Sequence, residues 1–173
     1  MDAGITIREI VPEECAALGT LLVDAYSQME GFPSKEEQPG YYQMLENIGS
    51  FTDVRAAKIL VALSRENELL GGVVYFGDML EYGSGGTACQ IKNASGIRLL
   101  GVHSKSRGMG IGNALTRACI QLAKDNQHSQ IVLHTTSAMQ SAWRLYESLG
   151  FMRSQDLDFK QEELPVFGFR LDI

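Results

Sequence analysis

The sequence predicts an α+β fold, in which a central mixed, mainly antiparallel sheet of six to seven strands carries helices on both faces. Three observations support this prediction. Seven short segments are rich in β-branched residues, and their apolar residues alternate or run together as in strands. Four other segments repeat apolar residues at spacings of three and four, as amphipathic helices do. The first strands follow one another closely, whereas the later ones alternate with helices, and this order favours a mixed sheet.

The N-terminal part is predicted to hold one strand and two helices. Residues 5–10 alternate as a strand, and a helix opens at Pro12, whose missing N–H suits a first helical turn. A break at residues 31–33 ends this helix, and a second helix begins near Pro39. The connection 26–41 is therefore expected to be a surface loop, where substrate specificity commonly resides.

The middle of the chain is predicted to be a hairpin followed by a long connection. Residues 57–63 and 69–76 are strands joined by a polar turn, and Gly71 and Gly72 indicate a bulge. Residues 77–96 form a Gly-rich connection, which we expect to be an extended hairpin tip or else a lid.

The C-terminal half alternates between helices and strands. One helix begins near Gly110, and another lies between Ser137 and Gly150. Ser137 stands three residues before Gln140 and predicts a capping box, whereas Gly150 supplies the helix stop. The predicted strands of this half are 97–103, 131–135, 151–159 and 166–171.

Composition narrows the class of protein. The 173 residues suffice to bury a core, and we expect residues 1–173 to form one domain. No run of ~18 apolar residues and no signal-peptide pattern is present, so we expect a cytoplasmic protein with no membrane partner. A net charge of −6 argues against a nucleic-acid partner. The three cysteines suit reduced thiols, and neither they nor the three histidines show zinc spacing, so no metal is expected.

A glycine-rich segment precedes the central helix. Gly108, Gly110 and Gly112 carry no side chain, so a ligand can approach the amide N–H groups that a first helical turn leaves free. These donors, the positive end of the helix dipole and the charge of Arg107 together favour an anion. We infer a pyrophosphate at this position.

Two motifs resemble those of a known family. Residues 107–112, Arg-Gly-Met-Gly-Ile-Gly, follow a strand ending Leu-Gly-Val-His, and the pattern resembles the acyl-CoA signature of the GNAT N-acetyltransferase superfamily. Residues 142–151, Ala-Trp-Arg-Leu-Tyr-Glu-Ser-Leu-Gly-Phe, resemble the second signature of that family. Both in this order are far more specific than either alone. The resemblance implies the GNAT fold over essentially the whole chain, with a fourth and a fifth strand that splay apart around pantetheine.

The resemblance also implies a donor site for acetyl-CoA as cosubstrate. Backbone groups of Leu100, Gly101 and Val102 would pair with its pantetheine arm. Its diphosphate would lie on the segment that comprises Arg107, Gly108, Met109, Gly110, Ile111, Gly112 and Asn113. A dinucleotide site is a weaker alternative, because the Gly-x-Gly-x-x-Gly spacing and the acidic residue ~20 positions later are missing.

Two residues are candidates for proton transfer. Tyr146 occupies the position where the tyrosine of the family commonly protonates the CoA thiolate, although it could instead pack one face of its helix. His134 stands where some relatives carry a catalytic glutamate, and it is either the general base or an ordinary hydrogen-bonded histidine. Two departures accompany them, since Gly96 replaces the glutamate of other relatives and Met139 replaces an asparagine that contacts the cofactor.

The predicted function is acetyl-CoA-dependent N-acetyl transfer to a primary amine of a small molecule or peptide, by direct attack in a ternary complex. The alternative is a CoA-binding sensor or interaction module without transfer activity, and nicotinamide-dependent redox chemistry is a more remote one. A homodimer through terminal strands is compatible with this fold. Carboxylates and aromatic rings in two connections are candidates for binding the amine, namely Tyr26, Glu30, Phe32, Asp78, Glu81 and Tyr82.

Overall fold

The protein is described by a computed structural model that covers residues 4–173. Its strands are β1 (Thr6–Glu9), β2 (Ala57–Leu63), β3 (Leu69–Phe76), β4 (Ala94–Val102), β5 (Gln130–Thr135), β6 (Met152–Arg153), β7 (Phe159–Gln161) and β8 (Leu164–Asp172). Its helices are α1 (Cys15–Ser27), α2 (Pro39–Glu46), α3 (Ile111–Asp125) and α4 (Gln140–Ser148).

The strands form one sheet in the order β1-β2-β3-β4-β5-β8-β6, and β7 pairs with β8 outside this path. Within residues 4–173, β4 and β5 are the one parallel pair, and all other neighbours are antiparallel. The predicted mixed, mainly antiparallel sheet is therefore confirmed.

The sheet has eight strands because the predicted strand 151–159 is in fact two. A 3₁₀ turn separates β6 from β7 and places Leu157 fully inside the core. Arg153 and Asp158 close this excursion with two hydrogen bonds of 2.8 Å. Tertiary burial of one leucine thus overrides the strand pattern of the segment.

Two cores lie on opposite faces of the sheet, because successive side chains of a strand point to opposite sides. On β2, Ile59 and Val61 pack into the core that α1 and α2 cover. Leu60 and Ala62 pack into the other core, which contains the apolar faces of α3 and α4. Helices therefore cover both faces, as predicted.

The start of α3 agrees with its prediction, whereas the start of α4 differs from its prediction. α3 starts at Ile111 with Gly110 as its N-cap, as predicted. α4 begins at Gln140, and the predicted capping box at Ser137 is wrong. The side chain of Gln140 donates to the Ser137 carbonyl oxygen, so it cannot reach back to the N–H of that residue.

The connection between β3 and β4 is packed against the domain. It contains two 3₁₀ turns, Met79–Glu81 and Ala88–Gln90, and continues neither strand as a hairpin tip. Its residues Met79, Tyr82 and Ala88 are at most 3% exposed. This anchoring argues against a mobile lid, because opening the segment would expose these side chains.

Candidate active site

A cleft opens where β4 and β5 separate. The two strands pair from Ala94 with Gln130 as far as Ile97 with Leu133. Beyond that point β5 pairs only with β8, and β4 pairs only with β3. The resulting cleft has a volume of about 1100 Å³ and is lined by α1, β4, the start of α3, the end of β5 and α4. The splayed strands that the sequence implied are therefore present.

A bulge in β4 forms part of the wall of the cleft. The register to β3 shifts between Gly72 and Val74, and Leu99 and Leu100 have no register partner in either neighbouring strand. Leu99 has a φ of 61°, which costs about 1–2 kcal/mol for a residue with a side chain. The predicted irregularity near Gly71 and Gly72 is present, but the extra residue lies in β4. Such strain is typical of binding sites.

The glycine turn before α3 presents free amides to the same cleft. No backbone hydrogen bond in residues 4–173 uses an N–H group of the segment 107–113, and the first bond in α3 runs from Ala114 to Gly110. Gly108 and Gly110 each have a φ of 80°, and a Cβ built on either would meet no atom within 4 Å. Open space and free donors at the start of a helix fit an anion.

Most of the predicted donor-site residues come together in this cleft. Its lining includes Leu100, Gly101, Val102, Arg107, Gly108, Gly110, Ile111, Gly112 and Asn113. Met109 lies outside the lining and is 49% exposed. One backbone group is already used, because the Leu100 carbonyl oxygen accepts a hydrogen bond of 2.9 Å from the Tyr26 hydroxyl.

Tyr146 projects from α4 into the cleft. It is 5% exposed, and its ring packs edge-on against Phe151 at a centroid distance of 5.8 Å. Its side chain is among those that line the cleft. Burial raises the pKa of this phenol well above its ordinary value, so Tyr146 is protonated at neutral pH.

Both ring nitrogens of His134 are engaged. Nε2 lies 2.9 Å from the Leu157 carbonyl oxygen, which can only accept, so this nitrogen carries the proton. Nδ1 then accepts a hydrogen bond of 3.0 Å from the Tyr82 hydroxyl. Burial is the largest cause that lowers the pKa of His134 below its ordinary value, and the imidazole is neutral.

We expect the stability of the protein to depend on pH through His134. Because the folded state lowers the pKa of His134, the unfolded state binds more protons at low pH. The free energy of unfolding should therefore fall as pH decreases below about 6.5, the ordinary pKa of histidine. Urea unfolding at several pH values would measure this slope, and His134→Gln should flatten it. An equal slope in the variant would contradict the prediction.

Gly96 has no room for the glutamate that some relatives carry. A Cβ at this position would lie 2.3 Å from the ring of Tyr82, which fills that part of the cleft. Asp78 and Glu81 also lie outside the cleft, and Glu30 is the single acidic residue among those that line it. The described cleft therefore contains no buried carboxylate to act as a base.

Two polar residues of the cleft, Thr135 and Thr136, belong to no sequence motif. The Oγ1 atoms of Thr135 and Thr136 are buried, and neither has a hydrogen-bond partner in residues 4–173. Both residues line the cleft at the end of β5. A buried hydroxyl without a partner is destabilising, so a bound ligand is the natural partner of these atoms. No motif marks them, since a threonine that ends a strand is common.

Solved structures share this fold. The chain is similar in structure to the PaiA N-acetyltransferase of Thermoplasma acidophilum in complex with coenzyme A. The superposition covers 98% of the chain and 99% of that protein, with a TM-score of 0.76 and 14% sequence identity. A GNAT-family acetyltransferase of Staphylococcus aureus matches 97% of the chain over 98% of its own, with a TM-score of 0.73 and 18% identity. The fold is therefore the fold of these GNAT acetyltransferases.

Sequence comparison assigns the family. Residues 15–151 match the Acetyltransferase (GNAT) family, and the chain belongs to this family. This confirms the family predicted from the two motifs.

Curated relatives match a shorter part of the chain. A probable N-acetyltransferase family 8 member 5 of Mus musculus is 47% identical over 55 residues, which are 32% of the chain and 24% of the relative. The N-acetylaspartate synthetase of Danio rerio is 46% identical over 61 residues, which are 35% of the chain and 22% of the relative. The matched segments thus span about a quarter of the length of these relatives.

Proposed function

We propose that the protein is an acetyl-CoA-dependent N-acetyltransferase. The observation that carries this proposal is the run of free N–H groups in residues 107–113, which face open space at the mouth of the gap between β4 and β5. A diphosphate would satisfy these donors, and the amide-bearing arm would meet the backbone at Leu99 and Leu100, which have no register partner in β3. The buried hydroxyls of Thr135 and Thr136, which have no hydrogen-bond partner, offer further contacts to a polar ligand.

No helix in residues 4–173 is long and apolar enough to cross a membrane.

In the proposed reaction the amine nitrogen attacks the thioester carbon directly. A C–N bond forms, and the carbonyl oxygen gains negative charge that N–H groups of the bulge at Leu99 would stabilise. The C–S bond then breaks, and the Tyr146 phenol gives its proton to the departing thiolate. Burial raises the pKa of Tyr146, so its phenol is fully protonated at neutral pH, and the phenolate left after the transfer takes a proton back from water.

The proton of the attacking amine needs an acceptor, and we propose His134, reached through Tyr82. The Tyr82 hydroxyl would take the amine proton while its own proton passes to Nδ1 of His134. The imidazolium would keep its Nε2–H bond to the Leu157 carbonyl oxygen. The hydroxyl of Tyr82 could then donate to the Ile97 carbonyl oxygen, which lies 3.4 Å away.

A second candidate function is a CoA-binding module without transfer activity. The observation that favours it is the lack of a carboxylate base in the cleft. The ring of Tyr82 occupies the space that a side chain at position 96 would need, and both ring nitrogens of His134 already have hydrogen-bond partners. A neutral amine attacking a held thioester needs no strong base, however, and proximity alone lowers the barrier substantially. We therefore favour catalysis.

One assay separates the two functions. The protein is incubated with acetyl-CoA and a mixed library of amino acids, polyamines, peptides and lysine derivatives, and free thiol and acetylated products are measured together by absorbance and mass spectrometry. Catalysis predicts stoichiometric thiol and acetyl-amine. Tight binding of acetyl-CoA without thiol release for any amine would support the binding module instead.

A further inference from the structure

Arg98 is a charged residue without a counter-ion. Four arginines of the described chain are half-buried, and three of them, Arg8, Arg153 and Arg170, lie 2.8 Å from a carboxylate oxygen. Arg98 is the fourth, and no ion pair in residues 4–173 includes it. A partly buried charge is unfavourable unless something compensates it.

The contacts of Arg98 leave most of its donors unused. Nη1 donates to the Tyr82 carbonyl oxygen at 3.0 Å, and Nη2 approaches the sulfur of Met44 at 3.9 Å. A guanidinium carries five N–H groups in a planar fork that matches a carboxylate. Arg98 lines the cleft, so its remaining donors can reach a bound molecule.

The position of Arg98 places it at the reaction centre. It directly precedes the bulge at Leu99, where the thioester carbonyl is proposed to bind. In an α-amino acid the amine nitrogen and the carboxyl carbon are about 2.5 Å apart. A carboxylate held by Arg98 would therefore bring its own amine close to the bulge.

The surrounding wall is aromatic and uncharged. The rings of Tyr26, Phe32 and Tyr41 pack against one another with centroid distances of 5.4 to 5.9 Å, and all three line the cleft. Apart from Arg107, which is assigned to the diphosphate, two basic residues of the lining, Arg98 and Lys160, stand against a single acid, Glu30. This balance is opposite to the net charge of −6 for the chain, and it favours an anionic group on the ligand.

We propose that the acceptor is an α-amino acid with an apolar side chain, and that Arg98 binds its carboxylate. The aromatic wall takes the side chain, and the amine faces the thioester. The proposal rests on the proposed acetyl transfer and names its substrate class.

The test compares L-phenylalanine with 2-phenylethylamine, which has the same ring and amine but no carboxylate. We expect the wild-type kcat/KM to be about 10- to 100-fold higher for L-phenylalanine, as for a hydrogen bond to a charged group. Arg98→Gln should abolish this ratio, mainly through KM for L-phenylalanine, and Arg98→Lys should retain part of it. Arg65→Gln, an exposed arginine outside the cleft, is the matched control and should keep the full ratio.

Calorimetry of L-phenylalanine binding to the CoA-saturated protein gives a readout that does not require turnover. Binding that Arg98→Gln weakens at least about 10-fold supports the proposal. No binding, or a wild-type ratio near one, overturns it. A separate titration of the wild type with acetyl-CoA tests the donor site, so failure of acetyl transfer itself is distinguishable from failure of this substrate class.

Discussion

Reversing the charge at Arg107 and filling Gly110 is expected to raise the Kd for acetyl-CoA by about 100-fold or more. Arg107→Glu removes a positive charge beside the proposed diphosphate and adds a repulsive one, which alone amounts to about 10- to 100-fold. Gly110→Val places a branched side chain at a φ of 80° in space that the ligand would occupy. The strain of about 1–2 kcal/mol also disturbs the first turn of α3.

Calorimetry with acetyl-CoA measures this effect, and two matched variants control for it. Lys124→Glu reverses a charge at the far end of the same helix. Gly86→Val introduces the same side chain at a φ of 72° outside the cleft. Both controls should keep the wild-type Kd. If the double variant has the thermal stability of the Gly86 control and still binds acetyl-CoA with wild-type affinity, the proposed diphosphate site is wrong.

The parts of the site that the sequence predicted depend on local patterns. The glycine turn and the start of α3 follow from residues adjacent in the chain, because helix capping and backbone freedom are properties of a few neighbouring positions. The structure accordingly has Gly110 as the N-cap with a φ of 80°. The order of strands and helices follows from periodicity in the same way.

The parts that the sequence could not predict arise from distant contacts. His134 and Tyr82 are 52 positions apart, and only the folded sheet brings the Tyr82 hydroxyl to the ring of His134. The bulge at Leu99 has no signal in its own strand, where a leucine at positive φ is unfavourable. No sequence pattern distinguishes Arg98 from other arginines in strands. The lack of an ion pair at this residue can be recognised only from the folded positions of the acidic residues.

Removing the hydroxyl of Tyr146 is expected to have the largest effect on turnover. Tyr146→Phe should lower kcat by about 10²- to 10⁴-fold, the usual range for the loss of a general acid. The Kd for acetyl-CoA should change by less than about twofold, because the ring of phenylalanine packs equally well against Phe151.

The pH dependence adds a second expectation for the same residue. Because burial raises the pKa of Tyr146, its phenol remains protonated at pH 10. Deprotonation of Tyr146 should therefore cause no loss of activity between pH 7 and pH 10. In Tyr146→Phe the thiolate must instead be protonated by water. The residual rate should then depend on the pKa of the thiol leaving group. Thioesters of more acidic thiols should therefore react faster with this variant.

A matched variant separates this chemistry from packing. The Tyr42 hydroxyl donates to the Pro33 carbonyl oxygen at 2.7 Å, and Tyr42 does not line the cleft. Tyr42→Phe removes a tyrosine hydroxyl with a structural role, so it should lower stability by about 1 kcal/mol and leave kcat unchanged. Wild-type turnover in Tyr146→Phe would remove the acid role. It would then follow that the thiolate of CoA leaves without a proton from Tyr146 and is protonated by water.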